Sequence, residues 1–260
     1  MNKIRIKLVT IGHLPLRLNI IKAVQWKSDI FEVIGKAENY SIRSDSDGDG
    51  WEFTDANLNE QLPKQFDGDF LIAIANVAIE HNWYSRRLGS NKIVLTFHQI
   101  KEYLSAENIP LENAIIRVLY VYTLLYKKSG DLIPNYGEVT SYTHDETRGC
   151  IFDMNGIKSD LVESCIQPIV CDQCQERLRK ERVSSEIIKA TQREIRRIKK
   201  DLYYRAIDFI KHHPVWALIF SSAFALVLGI VGSLIASYIY DGIKFQPTAP
   251  VAPKTIAPTK

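Results

Sequence analysis

The chain opens on an alternation of apolar and polar residues. Ile4–Ile11 (IRIKLVTI) sends every other side chain to one face, the period of a half-buried strand. Pro15–Trp26 changes period: Leu16, Ile20 or Ile21, and Val24 recur at helical spacing. Phe31–Ala37 reads as a second strand. Asp69–Ile79 (DFLIAIANVAI) is a continuous apolar run, as expected of a strand covered on both faces, and Lys92–His98 (KIVLTFH) is another strand. Ile109–Lys127 is apolar nearly all round, which predicts a central buried helix. Strand, helix, three strands and a helix in this order predict an α/β sandwich built on a mixed sheet.

Beyond residue 174 the pattern changes again. Gln175–His213 has no Gly or Pro and carries Ile188, Ile195, Leu202 and Phe209 at heptad spacing, widened by Ile198, Ala206 and Ile210. This predicts one amphipathic helix, forming at most a short coiled coil because Ser184, Thr191 and Arg205 fall at core positions. Val215–Tyr240 then runs for 26 residues without a charge. About 20 apolar residues cross a bilayer, so a transmembrane helix is expected, entered at Pro214. Trp216 at one end and Tyr238 and Tyr240 at the other suit the two interfaces. Ser221, Ala225, Gly229, Ser233 and Ser237 recur every four residues, a small-residue stripe that lets membrane helices approach closely and predicts self-association. The expected organisation is an α/β domain over 1–178, a basic amphipathic helix over 179–213, a membrane helix over 214–240 and a disordered Pro-rich tail over 241–260.

Charge refines this picture through its distribution. The net charge is only +3, but Arg177–Lys211 holds twelve Lys/Arg against five Asp/Glu. Arg196, Arg197, Lys199, Lys200, Arg205 and Lys211 precede the apolar run, and only Lys244, Lys254 and Lys260 follow it. Basic flanks stay inside, so a cytoplasmic N-terminal domain on a single-pass inner-membrane anchor is expected. The basic flank would also meet anionic headgroups. The N-terminus alternates like a strand and lacks the apolar core of a signal peptide. The expected partners are the lipid bilayer, a second copy through the membrane helix, and an unidentified cytoplasmic ligand or partner. Nucleic acid is not expected, since aromatics do not interleave with a basic patch on the globular part. GxGxxG, GxxxxGK[ST] and a serine nucleophile elbow are all absent.

All four cysteines lie between Cys150 and Cys174. In a reducing cytoplasm such a cluster points to metal binding rather than disulfides. Cys171 and Cys174 form C-x-x-C, a spacing that lets two thiolates grip one zinc. A redox pair is the rival, but it should open a helix after a strand, whereas this pair follows Pro168 and reads as loop. Cys150 is the third ligand. The fourth is His144 or Cys165. His144 is preferred, because Cys165 sits among apolar residues and suits a small buried hydrophobe. Four N/S ligands leave no open position, so the expected zinc is structural. A second acidic loop, Asp45–Ala56, places Asp45, Asp47, Asp49 and Gly50 at EF-hand positions but has Ala56 where a bidentate Glu is needed. Its residues equally suit a solvated hairpin tip, which is the expectation here.

The order of elements, followed by His144-x5-Cys150-Ile-Phe-Asp-Met154 and a terminal Cys171-x-x-Cys174, resembles the archaemetzincin-type zinc peptidases over residues 1–178. The resemblance implies a metzincin-like fold. It implies a catalytic zinc on a HExxH helix with a third downstream histidine, near which His144 would fall. Cys150 and Met154 would lie near the C-x-M-like turn of that family, and Cys171 and Cys174 would match the cysteine pair of its structural zinc. The helix that should carry HExxH reads IIRVLYVYTLLY, and no HExxH occurs in the chain. The expectation is therefore a membrane-anchored, catalytically inactive relative that binds or senses at the inner membrane, with no catalytic residue assigned. Asp145 and Glu146 would orient His144. Two alternatives stand beside it: a self-assembling, permeabilising membrane effector triggered through the cytoplasmic domain, and a zinc-dependent hydrolase with atypical ligands.

Overall fold

A computed structural model describes residues 2–138, 142–145 and 147–244. The chain divides into two compact units, 1–201 and 202–260.

The first unit is built on a sheet of order β2-β1-β3-β5-β4. The strands are β1 (Ile4–Ile11), β2 (Phe31–Tyr40), β3 (Phe70–Ala75), β4 (Ser85–Gly89) and β5 (Lys92–Thr96). β1 runs parallel to both β2 and β3, β3 runs parallel to β5, and β4 closes one edge antiparallel to β5. The sheet is therefore mixed, as expected. Side-chain alternation divides the core cleanly. Ile4, Ile6 and Leu8 with Phe70, Ile72 and Ile74 face one layer, while Val9, Ile11, Leu71 and Ala73 face the other.

Helices cover both faces. The larger layer receives α1 (Ile20–Val24), α3 (Ile100–Ala106) and α4 (Glu112–Lys128). α4 is buried from Glu112 to Tyr126, which explains its all-round apolarity. It starts on Glu112, ends on Lys127 and Lys128, and stops at Ser129 and Gly130. Gly130 turns left-handed at φ +78° so that the Asp131 N–H reaches the Tyr126 carbonyl at 2.9 Å. The smaller layer receives α2 (Asp55–Gln61), whose Leu58 is fully buried.

A crossover loop with a short 3-10 turn at Asp49–Trp51, leading into α2, stands where the hairpin tip was expected at Asp45–Ala56. β2 and β3 are not neighbours but flank β1, so the chain crosses over between them instead of turning back. The Asp47 carboxylate accepts from the Thr54 amide at 3.0 Å and the Thr54 hydroxyl at 2.7 Å, and Thr54 in turn caps α2 by accepting from the Asn57 amide. These bonds hold the Asp47 carboxyl below the usual range. Asp47, one of the loop's acidic residues, is thus engaged in starting a helix.

The single helix expected over 179–213 is interrupted. After the short α5 (Leu161–Ser164) come α6 (Asp172–Lys180), α7 (Ser185–Ile195) and α8 (Leu202–His212). Arg182 adopts φ +64°, and Ser184 caps α7 by accepting from the Ile187 amide at 3.3 Å. A hydroxyl that satisfies a free N–H competes with helix continuity even without Gly or Pro. Leu178, Val183, Ile187, Ile188 and Ile195 are buried in the main core. The α/β unit therefore extends beyond 178 to Asp201, and the heptad positions divide, with Ile188 and Ile195 buried but Leu202 and Phe209 exposed in the second unit. A shared coiled-coil seam through all of them is excluded by that division.

α7 is tied down by a polar network. Buried Glu194 accepts from the Asp29 amide at 2.9 Å and from the Tyr120 hydroxyl at 2.7 Å. Tyr120 Oη in turn accepts from Trp26 Nε1 at 2.8 Å, and Arg197 lies 4.6 Å over the Trp26 ring.

The second unit contains α8 and α9 (Pro214–Lys244). Residues 214–241 of α9 are long and apolar enough to cross a membrane, and none of the apolar window is buried against protein. The helix passes the expected end at residue 240. Residues 245–260, where the tail was expected, lie outside the described residues.

Candidate metal centre

The segment around His144 folds as a small ladder. The His144 amide donates to Phe152 O at 3.1 Å, and the Met154 amide donates to His144 O at 2.9 Å. Gly149 turns at φ +80°, and Ile151 and Ile169 extend the pairing outward. This ladder sets Cys150 beside His144. Cys171 then stands at the N-terminal boundary of α6, with Cys174 in its first turn. The C-x-x-C pair therefore does open a helix, where the sequence read as loop.

These elements bring four ligand atoms within 4.8 Å of one another: His144, Cys150, Cys171 and Cys174. His144 Nε2 lies 3.3 Å from Cys150 Sγ and 3.5 Å from Cys171 Sγ, and Cys150 Sγ lies 3.9 Å from Cys174 Sγ. Zinc–sulfur bonds of about 2.3 Å put tetrahedral sulfur–sulfur edges at about 3.8 Å, with slightly shorter sulfur–nitrogen edges. The observed spacings fit that polyhedron. A histidine and a third thiol at these distances form a group that could hold a metal ion, and a redox pair does not need them.

The electrostatics suit a cation. Cys150 and Cys174 are buried, and Cys171 and His144 are partly so. The Cys150 thiol is pushed down to about 5, first by the hydrogen bond from Cys174 and then by backbone N–H groups and His144, against its burial. Cys174 moves the opposite way, raised first by its bond to Cys150. One thiolate is therefore stabilised inside the cluster. Arg177 Nη2 donates to Cys174 Sγ at 3.2 Å and to Tyr142 O at 2.5 Å, bonds that position this thiol.

Of His144 and Cys165, His144 is the one that joins the cluster able to hold a metal. Cys165 is fully buried outside the group, with its carbonyl accepting from Asn113 Nδ2 at 2.9 Å. Burial pushes its thiol up to about 12. His144 sits among the three cysteines, and α4 carries no histidine to join it. Its Nδ1 is 3.4 Å from its neighbour's backbone oxygen, Asp145 O, not from a carboxylate. Glu146 lies outside the described residues.

α4, where the resemblance expects two histidines, carries Asn113, Arg117, Tyr120, Tyr122 and Thr123 as its inward polar residues. Its one carboxylate, Glu112, pairs with Lys22 at 2.7 Å. Arg117 is fully buried, a placement that sequence reasoning missed; an arginine inside an otherwise apolar helix was the available signal.

The sequence matches no family model and no curated protein. Among solved structures it is similar to archaemetzincin from Methanopyrus kandleri, at 12% identity and a TM-score of 0.43, over 69% of this chain and 95% of that one.

Proposed function

We propose that this chain is a single-pass inner-membrane protein whose cytoplasmic α/β domain is pinned by one structural zinc and acts by binding or sensing, not by catalysis. The observation that carries this reading is the closed set of one nitrogen and three sulfur ligands. Such a set favours zinc by softness and tetrahedral geometry, and it leaves no position for a reactive water. The zinc holds the ladder of residues 144–154 to the start of α6, stabilising a loop-rich end of the domain. Asp145, through its backbone, and Arg177 tune the ligands.

The membrane part of the reading rests on α9. A helix with Leu218, Phe220, Phe224 and Leu226 all largely exposed has too much apolar surface for water. In a bilayer the same surface is satisfied, and the excess of Lys and Arg before the span keeps the N-terminal domain cytoplasmic. α8, with Leu202, Tyr203 and Phe209 exposed beside Arg205 and Lys211, suits the headgroup region.

The test is metal content of the full chain purified in detergent, with Cys171→Ser alongside. One zinc per chain, lost in the variant together with thermal stability, is the expected result. Two zincs would place a second, potentially catalytic ion in the protein and overturn the non-catalytic reading; none would remove the zinc.

A further inference from the structure

A cleft of about 180 Å³ opens between β4, α4 and the segment carrying Asp153 and Met154. A cavity of about 150 Å³ already accepts a benzene ring. Tyr84, Tyr122 and Tyr136 supply aromatic walls.

The cleft is cationic. Arg117 lines it and donates through Nε to Ser164 Oγ at 2.7 Å, through Nη1 to Tyr84 Oη at 3.3 Å and through Nη2 to the Asp153 carbonyl at 3.4 Å. Arg87 donates to the carbonyls of Pro134 and Glu138 at 3.3 and 3.2 Å. Both guanidinium groups therefore engage uncharged oxygens, which leaves their charges uncompensated by these contacts. Arg86 differs, holding Asp55 through two bonds of 2.6 Å. The cleft's own carboxylate is Asp153.

Unmet hydrogen-bonding capacity gathers in the same place. Six buried side-chain polar atoms lack a hydrogen-bond partner among the described residues, and three of them are Arg86 Nη1, Asp153 Oδ2 and Asn155 Oδ1. The first two residues line the cleft. Asn155 lines an adjoining recess that shares Trp83 and Tyr84 with it. Buried polar atoms are normally satisfied, so the two in the cleft and the one in the adjoining recess are groups that a ligand there could engage.

We propose that this cleft binds a small ligand that joins a planar ring bearing N–H donors to a dianionic group, the chemistry of a nucleoside monophosphate. A phosphate monoester carries about −1.5 to −2 at neutral pH, which matches two guanidinium groups whose bonds among the described residues go to uncharged oxygens. A base stacks on tyrosine whatever its sequence identity. Its N–H edge meets the acceptors Asp153 Oδ2 and Asn155 Oδ1. A bare anion would leave those acceptors unmet, and a cation would face two arginines. This inference rests on the binding reading above and names the ligand class of that domain. It also links the two regions, since the ladder that presents His144 to the zinc presents Asp153 and Met154 to the cleft.

The test is calorimetric titration of the zinc-loaded full chain in detergent micelles with AMP, GMP, CMP and UMP, and separately with the matching nucleosides and inorganic phosphate. At least one monophosphate should bind one per chain, about tenfold or more tighter than its nucleoside and than phosphate. Arg87→Gln should weaken that binding by about tenfold while leaving the ligand-free melting temperature in place. No binding by any of the four, equal binding of the nucleoside or of phosphate alone, or unchanged affinity in Arg87→Gln overturns the inference. If binding fails while the one-zinc stoichiometry holds, the zinc-pinned, non-catalytic reading survives and only the ligand assignment falls.

Discussion

Two fully buried thiols behave in opposite ways because of what stands within 4 Å of them. Cys150 has a histidine nitrogen and another thiol at hand, while Cys165 has an apolar pocket and the diffuse charge of Arg117. Cys174→Ser should therefore abolish zinc retention and lower the melting temperature, with chelator giving no further fall. Cys165→Ala should keep the full zinc content and lose only about 1 kcal/mol from a small cavity. Metal analysis and thermal melts with and without chelator read both effects. His98 gives the pH counterpart. Burial first, then Lys158 and Lys101, lower its pKa from the ordinary 6.5, so the folded state prefers the neutral ring. A depressed pKa contributes stability above the unfolded value that is lost as pH falls through the folded one. Stability should thus decline as pH drops below 6.5, and His98→Gln should flatten that part of the melting-temperature profile. An unchanged slope would assign the decline to other groups.

At the scale of elements, the α6–α7 pair decides where the domain ends. Leu178, Val183, Ile187 and Ile188 are core residues, and Glu194 joins α7 to Tyr120 and Asp29. A chain cut after 178 should fail to fold, whereas one cut after 201 should give a cooperative melt. Within that unit, Glu194→Ala leaves a buried hydroxyl and a backbone N–H without their acceptor, a loss of about 2–3 kcal/mol measured by denaturant unfolding. Arg193→Ala, on an exposed ion pair with Asp29, should cost less than about 1 kcal/mol. The same elements explain what the sequence could reveal. The bounds of β1 were legible in its alternation, but its second half is buried on both faces rather than one, because layers cover both sides of the sheet; the buried runs of β3, β5 and α4 announced themselves by continuous apolarity. β4 (SRRLG) was not legible: its inward residue Arg86 is polar, and Asp55, 31 positions away, makes its burial tolerable together with Glu80 and the Tyr136 ring. α2 left one usable sign, Thr54 ahead of Asp55, which was outweighed by the turn-like run before it. The cysteine cluster was legible in composition, but the exclusion of Cys165 needed the fold to separate neighbours in sequence.

For the whole molecule, a helix long and apolar enough to cross a membrane raises the question of whether the chain works alone. In a bilayer, apolar side chains gain nothing by leaving lipid for one another, so association depends on close backbone approach. α9 keeps Ser221, Ala225, Gly229, Ser233 and Ser237 four residues apart on a regular helix, and a Cβ added at Gly229 faces open space. Gly229→Leu is therefore silent for the monomer and obstructive for a pair, which makes it a discriminating substitution. If the stripe is an interface, the substitution should weaken self-association by about 1–2 kcal/mol, roughly a tenfold change, in a reporter or cross-linking assay in membranes. Insertion and zinc content should stay as in the wild type. Dye leakage from cells expressing the two forms extends the test to function. Leakage that falls with Gly229→Leu supports an assembling effector, in which a ligand on the cytoplasmic domain shifts the population of the assembled state. Association lost without any leakage supports a dimeric sensor. Equal association of the two forms removes the stripe as an interface and leaves a monomeric anchor.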